Sequence, residues 1–219
     1  MTLKGLLKRD GYVFLREYMK HLTTEEFLRH FKESEGLEQA SNIHKLVPAK
    51  MKDSTPNTYS GQYGYNDFPM HTDLAHWARP PRYILLRCIK GCSSVSTKLL
   101  DGNELVCELG KRRLERTLVK PRRPINGEIP LMRVFQSGTP SLFRWDNSFI
   151  IPASPAGKDG VFSIKLKIEE ADTKHVYLHQ KADSLVIDNW RMLHGRSKIT
   201  DGYEDRIIER VYLEDKICH

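Results

Sequence analysis

No stretch of about 18 consecutive apolar residues occurs in the 219-residue chain, so a membrane-spanning helix is not expected. The opening segment, MTLKGLLKRDGYVF, has no uninterrupted apolar core and no small-residue cleavage site. A secretory leader is therefore not expected, and cytoplasmic location is the default. Cysteine is scarce: Cys88, Cys92, Cys107 and Cys218, at spacings that make no paired zinc motif. Reduced thiols are expected, two of them in the core. Internal repeats and low-complexity segments are absent, and no linker composition divides the chain. One domain is expected over 1–219, with a core over about 60–213 and a strand-and-helix region over 1–59.

What is present is an ordinary globular mixture, 39% hydrophobic and 29% charged, with a net charge of +7 from 35 basic and 28 acidic residues. That excess is compatible with nucleic acid, an anionic surface or an acidic substrate. The basic residues are scattered, apart from Lys111–Arg123, which reads as a solvated helix face and its end.

Gly11–Tyr18 reads as a strand, and Thr23-Thr24-Glu25-Glu26 as a capping box opening a helix over about 24–34. Residues 50–70 are polar and turn-rich and read as a long loop leading into His71. Arg82–Cys88 reads as a buried strand after Pro80-Pro81, and Asp101 as the cap of a helix through Leu105, Leu109 and Leu114, bent at Gly110. Beyond residue 130, short strands are expected at Leu131–Phe135, Leu142–Trp145, Val161–Leu166, His175–His179, Leu185–Asp188 and Arg206–Leu213. Many short strands with turn signals favour a mainly β sandwich or jelly roll, with helices of the first half packed outside it.

The chemistry concentrates in three places. His71-Thr72-Asp73 puts an imidazole and a carboxylate at i and i+2, so an extended segment presents both on one face. Alone this is weak: nine histidines give about an even chance of one His-x-Asp by accident. His194 follows a strand ending at Asp188 and precedes Gly195. Two histidines and one carboxylate on one side of a metal leave positions open for a chelating cosubstrate and oxygen, which suits Fe(II). In Arg206–Tyr212, the strand period puts Arg206, Ile208, Arg210 and Tyr212 on one face, and Ile207, Val211 and Leu213 on the other. Two arginines on an otherwise apolar face are costly to bury without anions. The competing reading is an edge strand with both arginines in water.

These segments together resemble the taurine dioxygenase-like family of iron(II)/2-oxoglutarate oxygenases. The resemblance rests on Phe68–Asp73, on Pro80–Tyr83 with the strand after it, and on Thr97-Lys98-Leu99-Leu100-Asp101-Gly102. It rests most closely on Asp188-Asn189-Trp190-Arg191-x-Leu193-His194-Gly195-Arg196, with Arg206 twelve residues beyond His194. It covers roughly 60–213 and only loosely 1–59, and the chain is shorter than is usual for the family. The segment before Thr97 departs from the family's glycine-rich wording.

The resemblance implies a double-stranded β-helix, that is, a cupin-like jelly roll. It implies Fe(II) held by His71, Asp73 and His194, with 2-oxoglutarate as cosubstrate against Arg206 and Thr97, and O2 as oxidant. It also implies release of succinate and CO2, with hydroxylation as the default outcome because Asp73 keeps its acid. Arg210 falls where some family members meet an anionic substrate group, its partner being either the substrate or a protein carboxylate such as Asp67. Asn66, Asp67 and Arg144 are the other candidate substrate contacts. A small polar, carboxylate-bearing metabolite such as an amino acid is the expected partner.

Three rival readings are a nucleic-acid-modifying oxygenase, a non-catalytic jelly-roll binding protein, and a zinc hydrolase. No aromatic residues alternate with the basic ones of Lys111–Arg123, as a stacking platform for single strands requires. The binding-protein reading sits poorly with an intact ligand set. The hydrolase leaves Arg206 and Thr97 without a purpose.

Overall fold

The computed structural model describes residues 2–215. It opens on a short helix, α1 (Leu3–Asp10), that the sequence pattern does not announce. Thr2 caps it, Leu3 and Leu7 are buried, and Gly11 ends it at φ 78°. The expected strand follows as β1 (Tyr12–Leu15), and the expected helix as α2 (Thr24–Glu35), with Thr23 and Glu26 closing the capping box. Strands β2 (Leu37–Gln39) and β3 (His44–Leu46) come next. The stretch 50–70 is not a single loop. It holds a helical turn at Met51–Asp53, the helix α3 (Tyr59–Tyr63) capped by Thr58, and β4 (Phe68–His71).

After β5 (Tyr83–Lys90) and β6 (Ser96–Asp101), Gly110 divides the expected bent helix into α4 (Gly102–Leu109) and α5 (Lys111–Arg116). The basic stretch therefore straddles two elements, because β7 (Leu118–Pro121) begins within it. Short pairings follow in β8 (Met132–Arg133), β9 (Phe135–Gln136), β10 (Leu142–Phe143) and β11 (Ile150–Pro152).

Val161–Leu166, expected as a strand, lies inside the helix α6 (Pro155–Glu170), which also moves one helix into the second half. Ser154 caps it and Pro155 occupies its first turn. Val161, Ile164 and Ile168 are spaced for a helix and pack on one apolar cluster. Six residues of this composition fit either period; the cap and the proline decide. The remaining strands are β12 (Lys174–Tyr177), β13 (Ser184–Asp188), β14 (Met192–Arg196) and β15 (Ile207–Asp215).

The architecture is mainly β with helices outside. One antiparallel sheet runs β1-β13-β5-β15-β2, with β3 also on β15; a second runs β12-β6-β14-β4. Ile84, Leu86, Leu185, Ile187, Ile208 and Tyr212 of the first sheet meet Leu99, Val176 and Met192 of the second in one core. On its outer face, the first sheet gives Leu85, Val186, Val211 and Leu213 to Leu7, Phe27 and Phe31 of α1 and α2. Leu100 and Leu193 of the second sheet join Leu105, Leu114 and Ile164 of α4, α5 and α6. β5 and β13 are thus buried on both faces, which is why they read as continuous apolar runs without alternation. Cys88 and Cys92 are buried free thiols and Cys107 is an exposed one; Cys218 lies outside the described residues. No helix among the described residues is long and apolar enough to cross a membrane.

Candidate active site

The site is built where β4 lies against β14. His71 and His194 are direct partners across that pair, with ring centroids 4.4 Å apart. His194 shares the inward face of β14 with Met192, while Leu193 packs on the opposite side. Gly195 is required here, because a Cβ would come within 2.7 Å of the Phe68 carbonyl oxygen. The ladder shifts register between His194 and Arg196, and Arg196 folds over Phe68, its guanidinium carbon 3.6 Å from the ring centroid. From there Arg196 donates to the carbonyls of Gly64 and Asn66, tying down the segment that leads into β4.

The extended segment 71–73 does what its spacing predicts: His71 and Asp73 point one way and Thr72 the other. Thr72 donates its N–H to the Trp145 carbonyl, 2.7 Å, and its hydroxyl accepts from Trp145 N–H, 3.0 Å. The fully buried carboxamide of Asn189 brackets Asp73. It accepts the Asp73 N–H at 2.7 Å and donates to the Asp73 and Pro81 carbonyls at 3.0 and 2.9 Å. The chain then turns at Leu74, φ 55°, a left-handed conformation rare for leucine and found where surroundings enforce it.

One donor atom from each of His71, Asp73 and His194 lies within 4.8 Å of the others, and all three residues are buried. Asp73 Oδ1 is 3.3 Å from His71 Nε2 and 3.6 Å from His194 Nε2. His71 Nδ1 sits 2.8 Å from the Pro69 carbonyl; donating there leaves the Nε2 lone pair free for a metal. The Nδ1 of His194 is buried without a hydrogen-bond partner.

Burial pushes the Asp73 carboxyl up, but the charge of Arg210 and the hydrogen bonds from His194 and His71 outweigh it and hold the group well below the usual range. Burial also lowers His71, and Asp73 more than reverses that; His194 is lowered by burial and by His71 beside it. Asp73 is thus held toward its ionised form and His194 toward neutrality, as a divalent metal requires, whereas His71 is shifted the other way by Asp73 and would give up its Nε2 proton when a metal binds. Two imidazoles and a carboxylate converging on one point fit Fe(II) with positions to spare.

Arg206 and Thr97 stand on facing sheets. Thr97 shares the inward face of β6 with Leu99, and its hydroxyl has no partner among the described residues. Arg206 is only 7% exposed, and no ion pair or hydrogen bond among the described residues engages its guanidinium; its Nε is buried and unmatched. Burial lowers its pKa, which nearby Cys88 and Cys92 partly oppose. A buried, unpaired guanidinium is expensive unless a ligand supplies the anion.

The other expected contacts divide. Arg210 points at the metal site, and its partner is neither Asp67 nor open space: Nη1 donates to Asp73 Oδ2 at 3.0 Å. Asp67 is exposed and is held elsewhere, accepting from Lys198 N–H at 3.0 Å and Lys98 Nζ at 3.2 Å. Asn66 is exposed, with its carbonyl spent on Arg196.

Arg144 is 2% exposed and its guanidinium is committed to the carbonyls of Ala75, Trp77 and Ala78. It braces the turn after Asp73 rather than lining an open wall. Burial lowers its pKa to about 10.

Three residues near the triad were not among the expected site residues, and two of them, Tyr59 and Asp146, have no signal in motif or spacing. Tyr59 of α3 stacks on His71, centroids 4.2 Å apart, with its hydroxyl buried near Asp146. Asp146 is 2% exposed and turns Oδ1 to the N–H groups of Ser148 and Phe149. Burial raises its pKa, which the charge of His71 partly opposes. Tyr212, placed by periodicity on the face of Arg210, donates its hydroxyl to Asp73 Oδ2 at 3.1 Å. Burial and the Asp73 charge push its pKa up, so it stays a donor.

Residues 2–102, which include His71, Asp73 and Thr97, match the sequence model described as taurine catabolism dioxygenase TauD, TfdA family. No curated protein matches the chain by sequence. Among solved structures, an asparagine oxygenase in complex with Fe(II), 2S,3S-3-hydroxyasparagine and succinate is similar at TM-score 0.72 and 13% identity; the match covers 96% of this chain and 77% of that one. The non-heme iron oxygenase OrfP in complex with Fe and alpha-ketoglutaric acid gives 0.70 and 18%, over 96% and 77%. The PvcB protein from Pseudomonas aeruginosa gives 0.66 and 15%, over 96% and 78%. The resemblance to the taurine dioxygenase family read from the sequence is thus matched over residues 2–102, including residues 2–59 where only a loose likeness was expected, and the match stops short of His194 and Arg206. The likeness to the three solved oxygenases is one of fold and extends over nearly the whole chain.

Proposed function

We propose that this protein is an Fe(II)/2-oxoglutarate-dependent oxygenase, a single domain over 1–219, that hydroxylates a small carboxylate-bearing amino acid or related acid. One observation carries the reading: a buried His71–Asp73–His194 cluster is accompanied, four residues before its neighbour Arg210, by Arg206, a buried cation with no anion among the described residues. His71 Nε2, Asp73 Oδ1 and His194 Nε2 would hold the iron. Arg206 would take the far carboxylate of 2-oxoglutarate through its two parallel donors, with the Thr97 hydroxyl beside it. Bound there, the iron with its cosubstrate and O2 supplies the oxidising chemistry that inserts oxygen into a C–H bond and leaves succinate and CO2. Two facing antiparallel sheets agree with the jelly roll proposed for the domain. The free thiols of Cys88, Cys92 and Cys107 agree with a cytoplasmic setting.

The amino-acid class rests on two polar groups beside the triad. Asp146 is a buried carboxylate beside the metal-ligand His71, suited to accept N–H donors from a substrate ammonium or amide. Arg210 spends Nη1 on Asp73, and its Nη2 has no partner among the described residues. That leaves one donor group for a substrate carboxylate. The asparagine oxygenase and OrfP structures contain hydroxylated asparagine and hydroxy-L-Arg, which favours the same class here.

The test is succinate release by protein loaded with Fe(II) and supplied with 2-oxoglutarate and O2, screened over amino acids and related acids. Release stimulated by one of them, with a matching gain of one oxygen in the product's mass, supports the proposal. Fe(II) binding with no 2-oxoglutarate turnover across the screen overturns it.

A further inference from the structure

The two oxygens of Asp73 live in different surroundings. Oδ1 faces the imidazoles of His71 and His194, while Oδ2 accepts Arg210 Nη1 at 3.0 Å and the Tyr212 hydroxyl at 3.1 Å. We propose that Arg210 and Tyr212 are positioning residues that clamp Asp73 as a one-oxygen metal ligand. This rests on the metal-binding reading given above.

The clamp follows from strand geometry. Residues 210 and 212 are two apart on β15, so both side chains leave the inner face, and Tyr212 belongs to the core between the sheets. The Arg210 guanidinium carbon lies 4.9 Å from the centroid of the Tyr212 ring, so each side chain fixes the other beside the carboxylate. Asn189 holds the Asp73 backbone from the opposite side. The residue is thus fixed at its backbone by Asn189, just past the end of β13, and at its far oxygen by β15 of the same sheet.

A carboxylate can bind a metal through one oxygen or chelate through both. Chelation here would pull Oδ2 away from two donors, one of them charged. Held to one oxygen, the protein occupies fewer positions, and those left open can take a chelating cosubstrate and O2. The charge of Arg210 does not by itself serve the metal, because a cation beside a divalent ion repels it. What Arg210 contributes is direction. Tyr212 brings the same direction with no charge, so it isolates the effect.

The experiment uses the full chain loaded anaerobically with Co(II), read by calorimetry and by the visible absorption of the bound ion. Tyr212→Phe, which removes a single oxygen, is expected to weaken Co(II) binding about tenfold, at the low end of what outer-shell partners contribute. It is also expected to shift the Co(II) bands and to weaken 2-oxoglutarate binding to the loaded protein, since a released Oδ2 competes for a position the cosubstrate uses. Arg210→Lys keeps the charge and loses the fork, and is expected to shift the same bands.

Wild-type Co(II) affinity and spectrum in Tyr212→Phe overturn the clamp and leave the metal reading standing. Absence of Co(II) binding by the wild-type chain overturns both. If Arg210→Lys fails to fold, Tyr212→Phe decides alone. Metal spectra unchanged in both variants end the proposal whatever Arg210→Lys does to substrate binding, because the free Nη2 of Arg210 is open to a substrate in either case.

Discussion

Arg206 and Arg210 stand four residues apart, the first just before β15 and the second in its middle; Arg206 is buried and Arg210 partly buried. Arg210 has a carboxylate at 3.0 Å, whereas no carboxylate, carbonyl or hydroxyl among the described residues engages Arg206. The fold's other deeply buried arginines form a third kind. Arg87 and Arg144 give their guanidinium donors mainly to backbone carbonyls: Tyr18, Met19 and Leu22 for the first, Ala75, Trp77 and Ala78 for the second. A buried arginine bound to carbonyls braces the chain, and one bound to a carboxylate sets that carboxylate's geometry. One with neither is waiting for a ligand's anion.

The comparison presupposes a metal at the triad, and the largest expected effect tests that. His71→Ala, Asp73→Ala and His194→Ala should each reduce succinate release to background while circular dichroism stays as in the wild type. Activity persisting in any one of them removes that residue from the ligand set.

The next effect separates the two arginines directly. Arg206→Ala should raise the 2-oxoglutarate requirement by roughly one to two decades, from about 1.5–3 kcal/mol for a charge-assisted pair. Its Co(II) affinity should be unchanged. Arg210→Ala should alter the metal instead. If the two variants give the same pattern, the distinction between a ligand-facing and a carboxylate-facing arginine is lost.

Arg144→Met should leave chemistry aside and cost folding. Three carbonyls lose a charged donor inside the protein, which predicts a loss on the order of 3–5 kcal/mol in denaturant unfolding. A loss under about 1 kcal/mol would mean the brace is not needed and would reopen Arg144 as a substrate contact.

How much of this could be read from the sequence follows from the same physics. Strand period put His71 and Asp73 on one face, a weak signal alone; His194 was joined to them by the resemblance of its segment to a known family, and the structure brings the three together. The facing of Ile208, Arg210 and Tyr212 against Val211 and Leu213 was legible for the same reason. Partner identity was not. Arg210 meets Asp73 across 137 positions of chain, and Asn189 meets it across 116. Only the paired sheets bring such residues together.

Asp146 follows an apolar run with no motif around it, and Tyr59 sits in a polar stretch that reads as loop until α3 forms. The strand expected at Val161–Leu166 failed because six residues are too few to distinguish periods. The helix α1 has only eight residues, with a hydrophobic face of two leucines.

The smallest expected effect turns the comparison from arginines to their acidic counterparts. Asp73 and Asp188 are both buried, yet Asp73 is held well below the usual range and Asp188 is raised to about 6. Burial is the largest cause for Asp188, and its cation is poorly placed: Arg82 Nη2 lies 3.9 Å away while Nη1 is 2.7 Å from Asp215. A folded value near 6 against an ordinary 3.8 means the native state binds a proton more readily than the unfolded chain. Stability should therefore fall as pH rises from about 4 to about 6, and the full cost should persist at neutral pH. About two pH units at roughly 1.36 kcal/mol each gives on the order of 2–3 kcal/mol.

Asp188→Asn mimics the protonated acid and keeps an acceptor for the Trp190 N–H. It should be more stable than the wild type at pH 7.5 and close to it at pH 4, with pH effects from other groups cancelling in the difference. Denaturant midpoints at the two pH values measure this. A variant less stable than the wild type at pH 7.5 would show that Arg82 holds Asp188 as Arg210 holds Asp73, and the two aspartates would then be alike.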